Sequence, residues 1–121
     1  MKAVKFIQGP DTDKDPVVIA SKVYLASDFF KRLFGLLAFK PLEETEGLLI
    51  KDCRSIHTMW MRYSIDAVFI DKQDRVTAVY KDMAPFRFSP YIRGASSVLE
   101  LKAGSVDRAS ISIGDTISFI E

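Results

Sequence analysis

Cysteine is nearly missing from this chain. Cys53 is the only one in 121 residues, so no disulfide can form within it. That count fits a cytoplasmic location. Long apolar runs are missing too. None approaches the roughly 20 residues of a membrane-spanning helix, and Met1–Asp15 lacks an apolar segment of signal-peptide length. A soluble, unexported chain with no membrane span is therefore expected. Charge of one sign is not in excess: 17 basic residues face 16 acidic ones, a formal net charge of +1, and Lys and Arg are scattered. That near balance argues against nucleic acid as a partner, because a nucleic-acid surface needs a basic face. Glycine-rich phosphate loops, Cys-x-x-Cys, His-Glu-x-x-His and the Gly-x-Ser-x-Gly elbow are all absent, so no nucleotide, dithiol, zinc-protease or serine-hydrolase signature is present.

What the chain does have suits a packed core: 48% hydrophobic and 12% aromatic residues in 13.6 kDa, the size of one domain. A single domain over residues 1–121 is expected, with 1–16 a strand plus a loose N-terminal segment. No repeat or linker interrupts it. Alternating or β-branched segments predict strands at Lys2–Gln8, at Val17–Ala26 as a hairpin broken near Ser21-Lys22, and at Gly47–Ile50, Ile56–Met61, Ala67–Ile70, Val76–Tyr80, Ser97–Leu101 and Thr116–Ile120. Asp71-Lys72-Gln73-Asp74 predicts the turn of a hairpin, and Ser105–Ala109 one helical turn. Ser27 can cap a helix from Asp28, where Phe29, Leu33 and Leu37 form an apolar stripe. Gly35 inside that helix costs about 1 kcal/mol relative to Ala, which close packing against a sheet would explain. One crossover helix cannot serve an all-parallel sheet. The fold expected is α+β: a small, mainly antiparallel curled sheet or half-barrel, with one main helix across an opening.

The chemistry gathers in His57–Asp71, which holds the only histidine and the only tryptophan. If the segment is extended, His57, Met59 and Met61 share a face, with Cys53 at the same parity. An imidazole, two thioethers and a thiol are soft donors of the kind that select Cu(I), although strand methionines ordinarily fill core gaps. Arg62 and Asp66 interrupt an apolar run, and Glu100 interrupts another. A buried charge should be paired, so Arg62–Asp66 and Arg62–Glu100 are the expected ion pairs, while plain strand alternation predicts Glu100 in solvent. An enzyme reading uses His57 as base with Asp66 or Glu100 as its orienter, and Cys53, Ser55 or Ser64 as nucleophile. The Met83–Gly94 stretch, with Phe86, Phe88 and Tyr91 among Pro85, Arg87, Pro90 and Arg93, predicts either a cleft wall or a loop covering a sheet edge.

An ordered set of motifs carries a further reading. Arg32-x-x-Gly35-Leu36, Leu42, Gly47-Leu48-Leu49-Ile50 and His57-Thr58-x-x-Met61-Arg62-x-x-Ile65-Asp66-x-x-Phe69-Ile70-Asp71 come first. Ala84-Pro85, Val98-Leu99-Glu100-Leu101, Ala103-Gly104 and Gly114-Asp115 follow. Over about residues 17–120 this resembles the bacterial and archaeal domain of unknown function 192 family. The resemblance implies a compact mixed α/β domain dominated by antiparallel strands and no established activity or cofactor. It associates some relatives with secretion or pilus components. Many relatives have aromatic-Trp-Met-Lys-Asn-Thr where this chain has Met59-Trp60-Met61-Arg62-Tyr63-Ser64. It nominates His57, Thr58, Met61, Arg62, Asp66 and Glu100 as functional positions, and Gly35 and Gly114 as backbone requirements.

The function expected is that of a small binding module for a small molecule or a protein segment. His57 and Arg62 would hold an anionic or carbonyl group, and Trp60, Phe86 and Phe88 would supply apolar walls. The alternatives are a small hydrolase or transferase using His57 with an acidic partner, and a Cu(I) carrier through His57, Met59, Met61 and Cys53.

Overall fold

The computed structural model describes residues 1–6, 16–26, 41–58 and 61–121. Its elements are β1 (Lys2–Phe6), β2 (Val17–Ala20), β3 (Lys22–Ala26), β4 (Glu46–Lys51), β5 (Ile65–Ile70), β6 (Val76–Met83), β7 (Ser97–Lys102), a one-turn helix α1 (Ser105–Arg108) and β8 (Thr116–Ile120). They form a three-stranded sheet in the order β2-β1-β8 and a five-stranded sheet in the order β3-β4-β7-β5-β6. Among the described residues the architecture is mixed and sheet-dominated, with two sheets and no closed barrel. The helix expected from Asp28 and its Gly35 lie outside the described residues.

Every pairing is antiparallel except β3 with β4. A parallel pair cannot be closed by a tight turn. Residues 27–45, which join these two strands, have the length that such a crossover needs. The expected hairpin within Val17–Ala26 is corrected: β2 pairs with β1 and β3 pairs with β4, so the chain bends at Ser21 and passes from one sheet to the other. A bend of this kind lets one apolar run close a corner of the core, which a hairpin would not do.

The larger core lies between the sheets. Ala3, Ile19, Ala20 and Ile117 of the small sheet meet Leu49, Val68, Ile70, Leu99 and Leu101 of the large one. Each fully buried aliphatic side chain contributes roughly 1.5–3 kcal/mol there. Gly47 belongs to this face, and a Cβ on it would stand 3.1 Å from Leu101 Cδ2 and 3.2 Å from Leu99 Cδ1. Lys5 is buried at one margin. Its ammonium donates to the carbonyls of Ala109 and Ser110, just past α1, and pairs with Asp115 at 3.5 Å.

The outer face of the large sheet is covered as well. Ile65, Ala67, Phe69 and Val98 pack there with Ile56, Met61, Met83 and Ala95. Leu48 packs beside them with Leu42. With both faces covered, every residue of β5 is buried. That is why an apolar run at this position does not alternate with polar residues.

Candidate functional site

Register separates two of the acidic residues that the sequence nominates as functional. Ala67 of β5 pairs with Glu100 of β7, while Asp66 pairs with Leu101. Cross-strand partners share a face and chain neighbours do not. Glu100 therefore points with Ala67 into the outer core, and Asp66 points with Leu101 to the opposite side.

Asp66 is almost fully buried, and backbone donors take up its carboxylate. Oδ1 accepts from the Asp82 N–H at 2.8 Å. Oδ2 accepts from the Gly104 N–H at 3.1 Å and the Val106 N–H at 2.8 Å. Gly104 enters the helix at φ 98, a left-handed conformation that glycine adopts without a Cβ clash. Gly114, at φ 95, has the same requirement. Asp66 thus ties the start of α1 to the irregular end of β6, an architectural role.

Glu100 is buried rather than solvated, which corrects the expectation of exposure: alternation set its face, but that face is covered. Burial raises its carboxyl pKa to about 7. Its charge adds to the burial that pushes the Tyr63 phenol up to about 12, and the buried Tyr63 hydroxyl has no hydrogen-bond partner among the described residues. Burial likewise raises the Cys53 thiol, which donates to the Ser55 carbonyl at 3.0 Å. A raised thiol pKa is the reverse of nucleophile activation. Of the residues expected to pair, Asp66 is occupied by backbone N–H groups, and Arg62 is exposed while Glu100 is buried.

The expected strand Ile56–Met61 is also corrected. The Met61 N–H donates back to the Thr58 carbonyl at 3.2 Å, a contact that an extended strand cannot make, and the shared face of His57 and Met61 is lost. Met61 is buried in the outer core, whereas His57 is exposed. Met59 and Trp60 lie outside the described residues. Among the described residues no group of three or more His, Cys, Asp or Glu side chains could hold a metal ion.

Residues 54–58 instead run antiparallel to residues 86–92. The Phe86 N–H donates to the Thr58 carbonyl at 2.9 Å and the Thr58 N–H to the Arg87 carbonyl at 2.9 Å. The Ser89 N–H donates to the Ile56 carbonyl at 2.9 Å and the Ile92 N–H to the Arg54 carbonyl at 2.8 Å. The fully buried Thr58 side chain locks this ribbon from beneath. Its hydroxyl donates to the Ala84 carbonyl at 2.6 Å and accepts from the Arg87 N–H at 2.9 Å. Ile56 and Thr58 are the inward residues. Outward stand His57 and Phe88, a bridge pair whose rings are 5.9 Å apart.

Three large aromatic residues on one short segment face solvent: Phe86 is 57% exposed, Phe88 70% and Tyr91 68%. Phe86 is also held at φ 60, a conformation that costs a bulky residue about 1–3 kcal/mol. Strain together with exposure means that this ring is presented outward at the expense of stability. Sequence reasoning named Phe86, Phe88 and Tyr91 but passed over Arg54, whose Nε donates to the Ala95 carbonyl at 3.0 Å. A compositional signal was available for it. Residues 53–64 and 83–95 contain four arginines and one histidine, and no lysine, aspartate or glutamate. A separate cleft of about 530 Å³ between Lys51, Asp52, Asp71, Ser96 and Phe119 contains none of the nominated residues.

Residues 11–119 match the DUF192 family, described as "Uncharacterized ACR". The chain belongs to this family. It is 29% identical over 104 residues to the UPF0127 protein PF1050 of Pyrococcus furiosus, covering 84% of this chain and 89% of that one. It is 31% identical over 106 residues to a UPF0127 protein of Thermococcus sibiricus, covering 84% and 68%. A crystal structure of a protein of unknown function from Novosphingobium aromaticivorans superposes with a TM-score of 0.73. That likeness covers 98% of this chain and 84% of the other at 18% identity, and it speaks to the fold alone. No catalysis is established for the family. Among the described residues of this DUF192 member, no helix is long and apolar enough to cross a membrane.

Proposed function

We propose that this DUF192 chain is a single-domain cytoplasmic binding module, and that its binding face is the outward side of the paired ribbon 54–58 and 86–92. The observation that carries the reading is the exposure of Phe86, Phe88 and Tyr91 on a backbone locked from below by Thr58. Exposed aromatics on a rigid support are the usual anchors of binding surfaces, because a ring buries a large area while losing few rotamers. His57 contributes a polar edge beside Phe88, and Arg62 and Trp60 complete the candidate set. Thr58, Met61 and Asp66 support the face from within and do not contact the ligand.

Affinity selection from a random dodecapeptide display library tests this reading. The wild-type chain should enrich binders that the Phe86→Ala/Phe88→Ala variant does not retain. A selection that enriches nothing, or binders indifferent to those two rings, would refute it. The hydrolase alternative gains no support, since Asp66 and Glu100 lie on opposite faces of the sheet and both are buried, whereas His57 is exposed.

A further inference from the structure

Resting on the binding face described above, we propose that its natural occupant is an acidic protein segment carrying apolar side chains. The charge distribution carries the argument. All the ionisable residues of 53–64 and 83–95 that are charged at neutral pH are arginines: Arg54, Arg62, Arg87 and Arg93. Outside those segments 13 basic residues face all 16 acidic ones. A chain of net charge +1 therefore concentrates four arginines and no carboxylate in two segments, which hydrogen bonds pair through residues 54–58 and 86–92. Among the described residues no carboxylate pairs with Arg54, Arg87 or Arg93. Arg87 and Arg93 are exposed on the same loop as the three outward rings.

Arginine used without lysine is informative. A guanidinium offers a planar fork that fits a carboxylate with two parallel hydrogen bonds, and it sheds water more readily than an ammonium. Arginine beside exposed Phe and Tyr is also the composition of protein-interface anchors, where lysine is depleted. A long polyanion such as nucleic acid fits less well. Its phosphates would run beyond the paired segments toward the rest of the chain, where 16 acidic residues outnumber 13 basic ones, whereas a short acidic segment spans the paired segments alone. In the complex, carboxylates would engage Arg87, Arg93 and Arg54, and apolar side chains would cover Phe86, Phe88 and Tyr91.

Fluorescence anisotropy with three labelled dodecapeptides tests this. The first alternates Glu with Leu and Phe, the second replaces each Glu by Gln, and the third replaces each Glu by Lys. Oligothymidylate of matching length is the fourth probe. The acidic peptide should bind about tenfold more tightly than the neutral one, and more tightly than oligothymidylate. High salt should erase that preference. Arg87→Glu/Arg93→Glu should abolish it while leaving the melting temperature unchanged, and Phe88→Ala should weaken the acidic and neutral peptides alike. Equal binding of acidic, neutral and basic peptides would overturn the acidic partner and leave the aromatic face standing. Preference for oligothymidylate would assign the face to nucleic acid instead. Failure of all three peptides, alongside a library selection that enriches nothing, would remove both readings.

Discussion

Thr58 and Arg87 bind each other through both the backbone and the side chain of Thr58. The Thr58 N–H donates to the Arg87 carbonyl, and the Arg87 N–H donates to the Thr58 hydroxyl oxygen, each at 2.9 Å. A buried residue thereby dictates the path of an exposed loop. Thr58→Val keeps the shape but leaves the Arg87 N–H and the Ala84 carbonyl without their side-chain partner. The expected cost is about 2 kcal/mol, with faster amide exchange confined to residues 84–89. Urea denaturation and hydrogen exchange measure both. An unchanged exchange pattern would mean that the loop does not depend on Thr58.

Asp66 holds three backbone N–H groups contributed by β6 and the entry to α1. Asp66→Asn turns one acceptor into a donor facing N–H groups that are themselves donors. A loss of about 2–4 kcal/mol is expected. Any folded protein that remains should keep its affinity for peptides selected on the aromatic face. Denaturation of the variant at neutral pH checks the first part. A fully stable Asp66→Asn protein that loses binding would place Asp66 in the site after all.

Glu100 makes stability depend on pH in a definite direction. Its folded-state pKa of about 7 lies above the ordinary 4.5, so the folded chain binds this proton more tightly than the unfolded chain does. The stabilising contribution is complete at low pH and is lost as pH rises from 4.5 to about 7. The loss amounts to roughly 3 kcal/mol at 1.36 kcal/mol per pKa unit. Glu100→Gln should flatten that fall, so variant minus wild-type stability grows across the same window and levels off above it. Denaturant titrations from pH 4 to pH 8 read this difference directly. Parallel profiles would show that Glu100 stays charged in the folded protein.

Phe86 sets stability against presentation. Its φ of 60 is free of penalty for glycine, and its ring is more than half exposed. Phe86→Gly should leave the melting temperature unchanged or raise it by a few degrees, while peptide affinity falls. A marked drop in melting temperature would show that the ring contributes to the core rather than to a partner.

Much of the molecule follows from local pattern. Strands β4, β5, β7 and β8 and the turn at Asp71–Asp74 stand where β-branched and turn residues place them, and the helical turn at Ser105 does as well. Alternation alone put Glu100 opposite Leu99 and Leu101. The arginine-only composition of residues 53–64 and 83–95 is likewise a property of the sequence, although its meaning depends on the two segments pairing. Tertiary structure decided everything that depends on register. It buried Glu100 by covering the second face of the sheet, and it turned Asp66 to the other face, where Gly104 and Val106 take up its carboxylate. It carried Val17–Ala26 from one sheet into the other, and it set Met61 inward and His57 outward. The physical reason is a difference of range. Backbone sterics fix which side of a strand a residue occupies within a few positions, whereas what lies on that side is set by contacts between segments tens of residues apart.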